Sequence, residues 1–220
     1  MVADAAIFDF DGVLIDSIAP VTTSINDALV EHGHATRPVS ELIGLIGPPT
    51  FVAFSELIGE PSDSAAVAAI VATYRARYTE RYLTQTRVIA GVVDVLSVLA
   101  PSMRLAIATS KSATFTRPLL DALDLTRHFA VIEAAAVDDT ADDKTAIVAR
   151  ALAALSVARA VMVGDRSFDI AAAHAHGLFA VGVTWGVGSS EELRAAGADC
   201  LIDSPGELIE MLQPRGDPRA

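Results

Sequence analysis

A single cysteine, Cys200, occurs among the 220 residues, so no intramolecular disulfide can form and a reducing compartment fits. It sits in the apolar stretch Asp199-Cys200-Leu201-Ile202 and reads as a buried strand residue. Basic residues are scarce. Sixteen Lys and Arg stand against 28 Asp and Glu, a formal net charge of -12. A general nucleic-acid binder is basic, so no nucleic-acid partner is expected. The acidic surface also repels anionic membranes and phosphorylated ligands at long range. An anionic substrate would need a local cation or pre-aimed donors. No uncharged apolar run approaches the roughly 20 residues of a membrane span. No basic-then-apolar leader opens the chain, and the cytoplasm is the expected location. Repeats and low-complexity segments are lacking too. What remains is 52% hydrophobic and 20% charged, the composition of a globular protein with a real core and one or two domains.

Short apolar runs ending in Gly, Asp, Ser or Thr occur at 5–10, 105–108, 130–132, 160–163, 179–183 and 200–202. Continuous apolar runs of this length suit strands buried on both faces. Helical stretches alternate with most of them, at 113–123, 144–155, 167–176 and 190–196. The fold class expected is therefore α/β, a doubly wound parallel sheet, with its site at the carboxyl ends of the strands. One connection is too long for a plain crossover. About ninety residues separate the first strand from the second, where about thirty would serve. The excess reads as helical at 21–32, 50–58 and 65–82, with no strand pattern. This predicts an α-helical cap domain at 17–85 inserted into a core domain of 1–16 and 86–220, hung where it can act as a lid. The tail Pro214-Arg215-Gly216-Asp217-Pro218-Arg219 reads as frayed.

Four segments carry chemistry. In Asp9-Phe10-Asp11-Gly12-Val13-Leu14, both aspartates project the same way if the strand persists through them. Two such charges suit a nucleophile and an acid/base partner sharing a cation; the plainer alternative is a pair of strand-ending loop residues. In Val163-Gly164-Asp165-Arg166-Ser167-Phe168-Asp169, Asp165 falls at a strand exit and Asp169 in the first turn of the next helix. A helix-start aspartate also has a purely structural use. Together the two segments would bring four carboxylates into one cleft, which calls for a divalent cation, and all-oxygen ligands favour magnesium over zinc. Thr109-Ser110-Lys111-Ser112 ends a strand before a helix, as a phosphate cradle or an ordinary cap would. Lys144 opens a helix, where the dipole disfavours a cation, after the acidic run Asp138, Asp139, Asp142 and Asp143. It reads either as a site residue or as a solvated loop lysine.

In this order the four segments resemble the motifs of the haloacid-dehalogenase-like (HAD) hydrolase superfamily, over nearly the whole chain. The resemblance implies a Rossmann-like core, Mg2+ as cofactor and an aspartyl-phosphate mechanism. It implies Asp9 as nucleophile, Asp11 as acid/base, and Thr109 and Lys144 as phosphoryl holders. The implied metal set is Asp9, Asp11 through its backbone carbonyl, Asp165, and Asp169 as ligand or support. Gly47-Pro48-Pro49, Tyr74-Arg75, the segment from Gly182 to Gly186 and Glu192-Leu193 resemble the phosphoglycolate-phosphatase-like branch with a helical cap. Ala90-Gly91 stands where Pro-Gly is usual, and the loop before Lys144 is acidic where related sequences often carry basic residues.

The expected substrate is a small phosphorylated metabolite. Substrate-binding candidates are Gly12, Ser110, Gly47, Pro48 and Arg75, while Tyr74, Arg75 and Tyr78 read equally well as one edge of an amphipathic helix. Gly12 and Gly91 read as hinges, and His174 and His176 as surface residues. The rival readings are a sugar-phosphate mutase sharing every core residue and a non-catalytic binding protein on the same scaffold. The oligomeric state stays open between monomer and homodimer.

Overall fold

A computed structural model of the chain describes residues 3–136 and 143–213. The acidic residues Asp138, Asp139 and Asp142 and the tail from Pro214 lie outside them. Six parallel strands form the central sheet: β1 (Ala5–Phe8), β4 (Arg104–Ser112), β5 (Val131–Ala135), β6 (Ala160–Gly164), β7 (Phe179–Val183) and β8 (Cys200–Ile202). Their spatial order is β5-β4-β1-β6-β7-β8. From β1 the chain winds outward through β4 to β5, then returns to β6 on the other side of β1. The carboxyl ends of β1, β4 and β6 therefore meet where the winding direction reverses, the place such sheets bind ligands.

Strand alternation sorts the core by size. Ala6, Phe8, Leu105, Ile107, Val161 and Val163 face one side, with the buried leucines and valines of α5 (Val92–Leu99), α6 (Ala113–Ala122) and α10 (Gly206–Leu212). Ala5, Ile7, Ala106, Ala108 and Met162 face the other, under α7 (Lys144–Leu155), α8 (Ser167–Ala175) and α9 (Ser190–Ala195). Small residues on this second face let α7 and α8 approach the sheet closely.

Between β1 and β4 the chain inserts α1 (Ile18–Glu31), α2 (Val39–Leu42), a 3-10 turn at Ile43–Leu45, α3 (Thr50–Ile58) and α4 (Ala65–Gln85). The Ser64 hydroxyl caps α4 by accepting from the Val67 N–H at 3.2 Å. Arg81 on α4 donates to Asp27 on α1 at 2.7 Å. Tyr78 and Tyr82 on α4 meet Phe115 on α6 edge-on, at 4.9 and 5.2 Å between ring centroids, so the insertion shares its apolar core with one face of the sheet.

Four local expectations need correction. The first strand stops at Phe8 rather than at residue 10. The Asp9 N–H still donates to Val163 O at 2.9 Å, but Leu14 and Ile15 turn back onto Phe10 O, with Gly12 at a φ of +79°. β4 runs on through Thr109–Ser112, with a register shift, beyond the apolar run at 105–108 that marks it in the sequence. An antiparallel pair, β2 (Ile15–Asp16) with β3 (Arg87–Val88), closes the base of the insertion where no strand was expected. Two residues per strand are too few to show alternation. Finally, Cys200 is on a strand but only half-buried, its Sγ 3.7 Å from Met211 Sδ. Among the described residues no helix is long and apolar enough to cross a membrane.

Candidate active site

Asp9 directly follows β1, and it is only 5% exposed. Lys144, at the first position of α7, reaches across to it. Its Nζ lies 2.7 Å from Asp9 Oδ1 and 2.8 Å from Asp169 Oδ1. The solvated-lysine alternative is thus overturned, for Lys144 is 6% exposed. The dipole penalty at that helix start is met by the two carboxylates, while Asp143 caps α7 by accepting from the Ala146 N–H at 2.7 Å. Asp169, fully buried in the first turn of α8, also accepts from the Arg166 N–H at 3.1 Å.

Asp9, Asp165 and Asp169 bring carboxylate oxygens within 4.8 Å of one another. The Val187 N–H holds Asp165 Oδ2 at 2.7 Å, leaving Asp165 Oδ1 buried with no hydrogen-bond partner among the described residues. Burial pushes the Asp9 carboxyl up to about 6 against the pull of Lys144, with Asp169 adding to the rise. Burial, then Asp169 and Asp9, hold Asp165 well above the usual carboxylate range. Burial alone would lower Lys144, yet Asp169 and Asp9 keep it above its ordinary value. Three carboxylates less one ammonium leave a net charge of -2 when all are ionised. That charge, the oxygen-only donors and the orphaned Asp165 Oδ1 fit a divalent hard cation. Gly12 belongs to this group rather than to the cavity wall. A Cβ there would stand 2.2 Å from Asp165 Oδ2.

Asp11 shares the cavity with Asp9 and Asp165 but not their tight cluster, for its side chain is turned toward β4. Lys111 Nζ contacts both its oxygens at 3.1 Å, and the Ser17 hydroxyl donates a short bond to Oδ1. The sequence carries a signal for Lys111, because Thr109 and Lys111 are two apart on a strand and share a side. Thr109 is buried at the cavity floor beside Ser110, and its hydroxyl accepts from the Lys111 N–H at 3.1 Å.

A cavity opens above these groups, floored by Asp9, Asp11 and Thr109 and walled by the insertion. Gly47, Pro48 and Arg75 line it, and the Arg75 guanidinium lies 5.7 Å from the Phe51 ring centroid. Arg166, unassigned from the sequence, ties the loop 44–47 to the sheet. It donates to Ile46 O at 2.6 Å, Gly44 O at 3.4 Å and Glu192 Oε1 at 3.0 Å. His174 is exposed beside Asp199, and His176 is half-buried with a ring nitrogen 2.9 Å from Thr145 O.

Beyond the site, the chain as a whole matches known proteins. The chain belongs to the haloacid dehalogenase-like hydrolase family, whose model matches residues 6–183. It is 36% identical to the tyrosine-protein kinase PtkA of Mycobacterium tuberculosis over 84% of this chain and 63% of that protein, so it spans a little under two thirds of that relative's length. It is 32% identical to a 5'-nucleotidase of Pseudomonas aeruginosa over 86% of each chain. With a phosphoglycolate phosphatase of Rhodospirillum rubrum it shares 31% identity over 97% of this chain and 93% of the other. The solved structure of a predicted phosphatase from Clostridium acetobutylicum superposes with a TM-score of 0.89 at 28% identity, covering 96% and 98% of the two chains.

Proposed function

We propose that this chain is a magnesium-dependent phosphohydrolase that cleaves a small phosphate monoester through an aspartyl phosphate on Asp9. The observation that carries this reading is the Asp9 carboxylate at the end of β1, paired at 2.7 Å with the buried Lys144 and open to the cavity. Relatives named as a 5'-nucleotidase and a phosphoglycolate phosphatase support it. Asp9, Asp165 and Asp169 would hold the magnesium, with the Asp11 backbone carbonyl as a further donor. When bound, the ion supplies positive charge against the phosphoryl oxygens.

The Asp9 carboxylate oxygen attacks phosphorus, and the bond from phosphorus to the ester oxygen breaks. Asp11 gives its proton to the departing alkoxide, then accepts one from the water that attacks the aspartyl phosphate and frees inorganic phosphate. Lys144 and Thr109 hold the phosphoryl oxygens, where most catalysis of this reaction arises. Helices at 17–85 act as a cap that excludes bulk water during the first step.

The relative named as a kinase favours a second reading, in which a substrate hydroxyl rather than water takes the phosphoryl group from Asp9. The test is phosphate release from p-nitrophenyl phosphate with magnesium and with EDTA, using Asp9→Asn as the blank. Release that needs magnesium and vanishes in the variant is expected. Undiminished release from Asp9→Asn would sink the scheme, and product phosphate appearing only on an added alcohol would favour the transferase.

A further inference from the structure

We propose that the ester's leaving group is a flat apolar ring rather than a small carboxylate or polyol, an inference that rests on the phosphohydrolase reading. A phosphoryl group at Asp9 must direct its leaving oxygen toward Asp11, so the rest of the substrate lies in the cavity beyond. That part is walled by Val21, Ile25, Phe54, Tyr74, Tyr78 and Phe115, all of one hydrophobic cluster. Four of the six are aromatic, in a protein with only 12 Phe, Tyr and Trp. Their rings form a connected run. Phe54 to Tyr74 is 5.4 Å, Tyr74 to Tyr78 is 5.8 Å and nearly parallel, and Tyr78 to Phe115 is 4.9 Å and edge-on. Such a wall offers faces and edges for stacking another ring.

The cations around the cavity are committed elsewhere. Lys144 is closed between Asp9 and Asp169. Lys111 spans both oxygens of Asp11. Arg166 is spread over Glu192 and two backbone carbonyls, and Arg75 lies against Phe51. A second carboxylate, as in phosphoglycolate, would have to break one of these contacts or be buried unpaired, which is costly. Polyol hydroxyls would face the same largely apolar wall, where the tyrosine hydroxyls and Thr50 are the few polar groups. An apolar ring meets neither cost and is removed from water on entry.

The test compares benzyl phosphate, phosphoglycolate and glycerol 3-phosphate, which all release an alkyl oxygen, so ease of departure does not confound the comparison. With magnesium, kcat/KM for the benzyl ester should exceed the other two by about tenfold or more. Phe115→Leu, which keeps bulk but removes the ring, should narrow that ratio, mainly through KM for the benzyl ester. Calorimetric binding of the same three esters to Asp9→Asn gives the preference without turnover. Phosphoglycolate handled as well as benzyl phosphate, in either assay, overturns the inference while leaving the reaction intact. Preferential binding of benzyl phosphate with no turnover of any ester would uphold the pocket and remove the phosphohydrolase reading. Equal binding, or none, would overturn the inference.

Discussion

Replacing Lys144 by methionine exposes the charge balance on which the site is built. Nζ stands 2.7 Å from Asp9 and 2.8 Å from Asp169, with the lysine side chain 4% exposed. Methionine fills much of the same space but leaves two buried carboxylates facing each other beside Asp165. Removing one partner of a buried ion pair costs about 3–5 kcal/mol. Protonation relieves part of that cost. The folded Asp9 carboxyl is already raised to about 6, from about 4 in an unfolded chain. A raised carboxyl favours the fold below the unfolded value, and that contribution is lost as pH rises from about 4 through about 6. Without Lys144 the folded value rises further, and the loss extends toward neutrality. At pH 7.5 without metal, the variant should lose about 3–5 kcal/mol, or about 6–20 °C in Tm at 2–4 °C per kcal/mol. At pH 5 the deficit should fall to about half or less, because the bared carboxylates bind protons. Urea unfolding followed by circular dichroism at the two pH values measures both. A variant as stable as its parent at pH 7.5, or one that loses more at pH 5, would refute the reasoning.

Protons and a divalent cation compete for the same oxygens, so magnesium affinity should fall as pH drops through about 6, by up to about tenfold per pH unit for one displaced proton; calorimetric titration at pH 7.5 and 5 checks this. Arg166→Ala removes three hydrogen bonds that tie the loop 44–47 and Glu192 to the start of α8. It should lower kcat/KM by about tenfold, and Arg166→Lys should not restore it, since a point ammonium cannot replace the guanidinium fork; steady-state kinetics on all three proteins decides. Gly12→Ala forces a Cβ to 2.2 Å from Asp165 at a φ of +79°. A stability loss of more than about 1 kcal/mol should follow, with a smaller thermal shift on adding magnesium than the parent shows.

Strands β6, β7 and β8 and helix α7 were readable within a residue, because each is a bounded apolar or amphipathic run. Helix α5 was missed, since its Val-Val-Asp-Val-Leu-Ser-Val-Leu is rich in β-branched residues; the spacing of buried Val92, Val95, Leu96 and Leu99 shows its helical face only once the sheet beneath is known. The residue types at the candidate site were legible because each stands where an apolar strand or a helix begins or ends: Asp9 after β1, Asp165 after β6, Lys144 at the head of α7. Their partnerships were not. Local alternation put Asp11 beside Asp9, but a turn closed by Gly12 hands it to Lys111, a hundred residues away.

Residue order alone is enough to specify the layered α/β class, the long helical insertion and the succession of strand-end carboxylates, hydroxyls and lysine. These depend on periodicity and on residues adjacent in the chain. Folding adds that Lys144 is shared by Asp9 and Asp169, that Arg166 clasps the insertion, and that aromatic rings from α3, α4 and α6 form one wall. Each of these joins groups brought together by strand order and helix packing, and no local pattern records which distant side chain will fill the space beside a given charge.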